Sequence, residues 1–297
     1  MLRRPRRALS AAVLALAACS QTDGAALVAT LDWDHPDERH GGLSGIEVGP
    51  DGREVTALTD RGVLVTARIA RRDGVPVALE TVRHHALTTP EGGGLRGYAA
   101  DSEGIAVAGD VVVGYEGYHR LWRHRRDGSG ASRLPLLDAL SDLPGNSGPE
   151  AVAATPEGAI LAVAERPVGD AFPVWRWDGA WTEVALLPRR GPMKAVGADV
   201  GPDGRLYLLE RRMTPLGFRS RVRRFALDGS GEETVLETPP GRHGNLEGIA
   251  VWRDGDQAIR LTMVSDDNFI PLMRGELVEY RLGPAPLAVL DRDPAEG

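Results

Sequence analysis

Among its 297 residues the chain has one cysteine, Cys19, and one lysine, Lys194, and aromatic side chains make up only 5% of it. A sole cysteine excludes an intramolecular disulfide, so core packing and strand pairing must hold the fold. Basic excess is lacking too. Asp and Glu number 42 against 35 Lys and Arg, a formal charge of −7, the wrong sign for a nucleic-acid partner. The apolar run from Ala8 to Ala18 is too short to span a bilayer as a mature helix. Sustained helical periodicity is absent, although residues 134–143 have room for a turn or two. Arginine stands for lysine at every other basic position, which reads as genome composition and makes Lys194 conspicuous.

What is present begins with the basic Met1-Leu2-Arg3-Arg4-Pro5-Arg6-Arg7 ahead of that apolar run, the order of an export signal. It runs into Leu16-Ala17-Ala18-Cys19, a lipobox. Residues 1–18 are therefore expected to be a cleaved signal, Cys19 to be lipidated, and residues 19–25 to form a tether. Ser20, in a Gram-negative cell, points to the outer membrane facing the periplasm, with the lipid as the only membrane contact. Loss of Arg3, Arg4, Arg6 and Arg7 takes the formal charge to −11 (−7 − 4). The residues after Arg6-Arg7 match twin-arginine export poorly.

From residue 26 to about residue 290, short β-rich runs alternate with turn signals such as Pro50-Asp51-Gly52, Asp127-Gly128, Pro202-Asp203-Gly204 and Asp228-Gly229. A two-beat phrase recurs. Its first beats are Leu43-Ser44-Gly45-Ile46, Ser102-Glu103-Gly104-Ile105, Pro149-Glu150-Ala151-Val152, Ala195-Val196-Gly197-Ala198 and Leu246-Glu247-Gly248-Ile249. Its second beats end on Asp60, Glu116, Glu165, Glu210 and Asp266. The period of roughly 50 residues is that of a propeller blade. The expected fold is an all-β propeller of four-stranded antiparallel blades, five of them, with a sixth degenerate blade as the alternative. Ring closure is expected to pair residues 26–33 with residues 275–282, leaving 291–297 as a tail.

Alignment on the turns makes Ser44, Glu103, Glu150, Val196 and Glu247 equivalent at the start of each innermost strand, while alternation turns Glu47 away. Antiparallel pairing brings both beats to one mouth of the central channel. So many carboxylates would raise one another's pKa unless cations compensate. Oxygen donors without Cys suit Ca²⁺, or Mg²⁺, and the expected ligands are Asp60, Glu103, Glu116, Glu150, Glu165, Glu210, Glu247 and Asp266. Arg61, His119, Arg120, Arg166, Lys194, Arg211 and Asn268 are the candidates for gripping an anionic substrate, and Glu103, Glu247 and Asp266 for catalysis. Ordinary ion pairs pinning loops between blades would leave the same pattern. No nucleophile elbow is present, and the seven histidines show no zinc-site spacing.

The phrases Gly41-Gly42-Leu43-Ser44-Gly45, Leu58-Thr59-Asp60-Arg61-Gly62, Asp101-Ser102-Glu103-Gly104, Tyr118-His119-Arg120-Leu121-Trp122, Leu209-Glu210-Arg211-Arg212 and Ser265-Asp266-Asp267-Asn268-Phe269 together resemble the bacterial family "esterase-like activity of phytase". The resemblance runs from about Leu31 to Tyr280 and implies a phytase-like propeller with ester or phosphoester hydrolysis. Family members often carry an acid where this chain has Met193-Lys194-Ala195-Val196-Gly197. Two readings stay open: a metal-dependent hydrolase of a small anionic substrate, and a non-catalytic binding propeller with a structural metal or ion-pair ring. A monomer is expected for either.

Overall fold

The computed structural model describes residues 24–136, 138–141, 148–267 and 273–283; the leader, Cys19 and Asn268 lie outside them. Each Asp-Gly signal makes a hairpin. At Pro50-Asp51-Gly52, the Asp51 carboxylate accepts the Arg53 amide at 2.9 Å while Gly52 takes the left-handed φ of 70° that the turn requires. Asp127 and Asp228 accept the amides of Ser129 and Ser230 in the same way, each at 2.9 Å. Such turns return the chain every few residues, so the alternating apolar runs pair as antiparallel strands.

Strand β1 (Ala25–Asp32) waits for its partner until the chain's end. Blade one is β2 (Leu43–Val48), β3 (Glu54–Thr59), β4 (Val63–Arg72) and β5 (Val75–Ala86). Blade two is β6 (Ser102–Ala108), β7 (Asp110–Tyr115), β8 (Arg120–His124) and β9 (Ala131–Arg133). Blade three, after the short α1 (Asp138–Ser141), is β10 (Ala151–Ala154), β11 (Ile160–Val163), β12 (Ala171–Trp177) and β13 (Trp181–Pro188). Blade four is β14 (Lys194–Val200), β15 (Leu206–Thr214), β16 (Gly217–Phe225) and β17 (Glu233–Glu237). Blade five is β18 (Asn245–Arg253), β19 (Ile259–Asp266) and β20 (Glu276–Leu282), completed by β1. The fold is thus the five-bladed propeller expected, closed as expected by β1 on β20, from Ala25 opposite Leu282 to Asp32 opposite Glu276.

The core lies between blades. Each neighbouring pair of sheets shares one apolar cluster, for example Phe172, Leu187, Leu206 and Phe225 between blades three and four, and Ile46, Val65, Ile69 and Leu277 across the closing seam. Full burial of each such side chain contributes about 1.5–3 kcal/mol. The seam carries an additional bond. Both Arg71 amino groups reach the fully buried Glu279 carboxylate, at 2.9 and 2.7 Å, and the guanidinium lies 4.6 Å from the centre of the Trp252 ring.

At the axis the innermost strands come to backbone contact. A Cβ added to Gly104 would lie 2.5 Å from the Glu150 carbonyl oxygen, and one on Gly248 would lie 2.7 Å from the Gly45 Cα. This explains the glycine at Gly104, Gly197 and Gly248; Gly45 faces the Ile105 side chain, and blade three has room for the Cβ of Ala151. Gly104→Ala is expected to cost roughly 2 kcal/mol in urea denaturation, because backbone rather than a flexible side chain must move. Gly94→Ala, where an added Cβ meets nothing within 4 Å, serves as the comparison and should stay within about 0.5 kcal/mol. Equal costs would contradict this account of the axis.

Candidate functional site

The residues aligned in the repeat share a backbone device. The registers of β2, β6, β14 and β18 jump between Leu43 and Gly45, Ser102 and Gly104, Ala195 and Gly197, and Leu246 and Gly248. The residues left over are Ser44, Glu103, Val196 and Glu247. Each is a β-bulge, which re-aims a side chain out of the pleat. Glu150 takes the corresponding place just before β10. Ser44, Glu103, Glu150 and Glu247 line the axial channel, and Ile46, Ile105, Val152, Ala198 and Ile249 line it one step further along. The Ser44 hydroxyl donates to the Ser102 carbonyl at 2.7 Å and is held there.

The register also defines the second ring, with one correction. Thr59 pairs Leu43, Tyr115 pairs Ser102, and Ser265 pairs Leu246; in blade four the residue opposite Ala195 is Glu210. The next residues are therefore equivalent: Asp60, Glu116, Arg211 and Asp266, with Glu165 the member from blade three. Arg211, not Glu210, completes this ring. A slip of one residue turns a strand side chain to the other face. Glu210 is fully buried away from the mouth, accepting from Arg223 at 2.7 Å on each oxygen and from Arg221 at 2.9 Å. It leaves the set of expected metal ligands.

A third ring precedes the first beats: Gly42, Asp101, Gly148, Lys194 and Asn245. Asp101 was missed by sequence reasoning, because two of its equivalents are glycine and mask the column. Asp101, Glu103 and Glu116 each offer a carboxylate oxygen, all within 4.8 Å of one another. The Asp101 carboxyl is raised above its ordinary range by burial. Three carboxylates this close repel one another when ionised, and protons or a cation between them relieve that repulsion.

Electrostatics follow from this crowding. Burial first, then Asp266, pushes Asp60 up to about 7. Burial and then Asp101 push Glu116 up to about 7. Glu247 also reaches about 7 through burial, although Arg211 opposes the rise. Glu103 and Glu150 lie well above the usual carboxylate range, through burial and then neighbouring glutamates. Among the described residues, no hydrogen bond reaches the buried Asp60 Oδ1. Positive charge gathers on blade four: Arg211 donates to Glu247, and the Lys194 ammonium to Glu165. Asn245 Nδ2 bridges Glu247 and Asp266, at 2.7 and 3.5 Å.

The other expected anion-gripping residues are spread out. Arg61 and Arg166 stand half-exposed at the rim beside Asp60 and Glu165, at 4.0 and 3.4 Å. Arg120 is turned into its own loop, donating to the Gly117 and Ala99 carbonyls with its guanidinium 4.1 Å from the Tyr115 ring centre. It is taken out of the mouth by those bonds. His119 follows Tyr118 in the β7–β8 loop, both with left-handed φ, and its amide donates to the Glu116 carbonyl at 3.1 Å. Glu47 lies beyond the isoleucine ring, as alternation requires, accepting the Val107 amide at 3.2 Å. Asn268 and Cys19 fall outside the described residues.

A five-bladed propeller with a carboxylate-rich axial mouth is a frequent host for hydrolytic and binding sites, and fold alone does not divide them. This chain belongs to the phytase-like family, described as esterase-like activity of phytase, whose model matches residues 38–269. Among solved structures, the α-L-arabinofuranosidase of Podospora anserina is similar at 14% identity, TM-score 0.52, covering 87% of this chain and 96% of that one. The catalytic domain of the Coprinopsis cinerea α-L-arabinofuranosidase gives 13%, 0.54, 87% and 96%. A gluconolactonase of Xanthomonas campestris gives 16%, 0.40, 82% and 88%. At such identities the likeness to the two arabinofuranosidases concerns the fold alone. No curated protein matches the chain.

Two outcomes follow from the site. Asp60, Glu116 and Glu247 titrate near 7 when folded against 3.8 to 4.5 when not. The folded state then holds more protons than the unfolded chain in that window, so in chelator the melting temperature should fall from about pH 4 to about pH 7 and level off above it. A melting temperature that rises across the window would contradict the assignment. Glu210→Gln leaves the buried Arg223 without a full counter-charge and should cost ~3–5 kcal/mol in urea denaturation, while any Ca²⁺ binding that calorimetry finds for the unaltered protein should persist in the variant. Loss of Ca²⁺ binding in a folded variant would return Glu210 to the mouth.

Proposed function

We propose that the chain is a hydrolase of small anionic esters or phosphoesters whose mouth takes a divalent cation on Asp101, Glu103 and Glu116. The cluster of three carboxylate oxygens within 4.8 Å carries this reading. The donor set fits: it is all oxygen, it is half-buried, and burial, then neighbouring carboxylates for the two glutamates, raises its acids above their ordinary range. Hard-oxygen donors suit Ca²⁺, with Mg²⁺ the stricter alternative. When bound, such a cation would polarise a phosphoryl or acyl oxygen and acidify a water molecule.

The chain's own residues supply the rest. Arg211 and Lys194, on the opposite side of the mouth from blade two, and Arg166 at the rim, orient the anionic group. Glu150 and Glu165 lie between these basic groups and the cation cluster, keeping the two apart. Asp60, poised near 7 and half-buried, takes a proton from the attacking water. The water oxygen bonds to phosphorus or the acyl carbon, the bond to the alcohol oxygen breaks, and the proton passes to that leaving oxygen. The leader and lipobox support an envelope location, with the propeller held at the membrane through Cys19.

A non-catalytic binding propeller has two specific observations in its favour. Lys194 and Arg211 are already paired with Glu165 and Glu247, and Ser44 and Val196 interrupt the inner ring. The full chain, stripped by chelator and reloaded with Ca²⁺, separates the readings when offered aryl phosphate, aryl ester and phytate. Turnover is expected to return with Ca²⁺, and Asp60→Asn to lower kcat about 100-fold or more with Ca²⁺ affinity nearly unchanged. Asp101→Asn with Glu103→Gln should abolish Ca²⁺ binding. Binding without turnover of any of the three would establish the binding propeller, and absence of binding would remove the cation site.

A further inference from the structure

Histidines with no zinc-like spacing in sequence are brought together by the ring closure. His35 and His40 lie between β1 and β2, and His84 lies near the end of β5, the outermost strand of blade one. Each offers a ring nitrogen, all within 4.8 Å of one another. The ring centres are 4.9 Å apart for His35 and His84, 5.2 Å for His40 and His84, and 5.6 Å for His35 and His40.

The partners of the remaining nitrogens fix the arrangement. His40 Nε2 lies 3.1 Å from the Trp33 carbonyl oxygen, which only accepts, so Nε2 carries the proton and Nδ1 presents a lone pair. That lone pair faces His84 Nε2 at 3.0 Å. On its other side His84 Nδ1 faces an Asp37 carboxylate oxygen at 3.5 Å. Asp37 is itself held by Arg39, at 2.9 and 2.6 Å. His35 Nδ1 accepts the Asp37 amide at 3.1 Å, which ties this ring to the same turn, puts its proton on Nε2 and engages its one lone pair until a metal takes the place of the amide.

A simple hydrogen bond between the two rings does not satisfy this geometry. If His84 donates from Nε2 to His40, its Nδ1 turns a bare lone pair on the Asp37 carboxylate. A second proton would cure that, but the His84 side chain is only 2% exposed, which disfavours the charged ring. A metal ion between His40 Nδ1 and His84 Nε2 resolves both contacts. The His84 proton then sits on Nδ1 toward Asp37, the carboxylate–imidazole–metal arrangement that orients ligands in metal centres.

We propose that His40 and His84 form the core of a second cation site, specific for a transition-metal dication of the zinc class, which His35 completes once its lone pair is released from the Asp37 amide, with one coordination position left for water or an external ligand. Imidazole donors select Zn²⁺, Cu²⁺ or Ni²⁺ over the Ca²⁺ suited to the mouth. Three protein nitrogens with an open position match catalytic rather than closed structural zinc sites. The ligands join the segment entering blade one to that blade's outer strand, beside the seam where β1 closes the ring. A metal there fastens the segment that continues directly into Gly42 and Ser44 at the mouth.

The test uses the full chain, stripped of metal and kept in excess Ca²⁺ so that the mouth is not the reporter. Titration with Co²⁺, read by its visible ligand-field absorption, should saturate at one equivalent and be reversed by Zn²⁺. His35→Ala with His40→Ala, both on the surface segment, should weaken Co²⁺ binding about 100-fold or more, and Asp37→Asn about tenfold. For the unaltered protein, Zn²⁺ at a hundredfold excess over its Kd should raise the melting temperature on the order of 5 °C. Absorption that persists in the double variant, or no absorption and no Zn²⁺-dependent rise in the unaltered protein, overturns the site. Ca²⁺ binding and ester turnover report separately on the mouth.

Discussion

Close backbone approach of the innermost strands at the axis, at Gly104, Gly197 and Gly248, governs the rest of this molecule. With a Cβ on Gly104 or Gly248 excluded by backbone atoms at 2.5 and 2.7 Å, the residue before each small one has nowhere to go but the channel. The bulges at Ser44, Glu103, Val196 and Glu247 turn that steric rule into a ring. Carboxylates placed there repel and are desolvated together, which raises their pKa values rather than dispersing the strands. The apolar interfaces between blades resist that repulsion, each burying several large side chains at about 1.5–3 kcal/mol apiece. Protons or a cation at the mouth relieve what remains.

Blade four breaks the symmetry and gives the mouth its direction. Lys194 stands where blade two has Asp101, and Arg211 where it has Glu116. The cation cluster therefore faces a basic side across the acids of blade three. Under the proposed function, a ligand bearing negative charge would find both a cation site and guanidinium within one opening. That polarity separates this arrangement from a symmetric ring of acids, which would hold only a metal.

Much of this was legible from the repeat. Blade number, strand count, the β1–β20 closure and the equivalence of Ser44, Glu103, Glu150, Val196 and Glu247 follow from turn signals and period alone, because Asp-Gly hairpins fix register locally. Glu210 was misplaced because blade four carries its acid one residue early: Glu210 stands opposite Ala195, where the other blades have Thr59, Tyr115 and Ser265, so the ring position falls to Arg211. Arg221 and Arg223, which neutralise Glu210, lie on the next strand and carry no pattern of their own. Asp101 was missed because its column reads glycine twice. The histidine cluster was invisible, since its members meet only through the closure of the ring, with His40 and His84 separated by 44 residues.

The central claim is that the crowded mouth holds protons which a cation displaces. Calorimetric titration of the full chain with Ca²⁺, in buffers of different ionisation enthalpy, measures both binding and proton release. With Asp60, Glu116 and Glu247 near 7, protons should be released on binding at about pH 6, and the release should fade by about pH 8.5. Calcium that binds at the lower pH without releasing protons, or that does not bind at either, would contradict it.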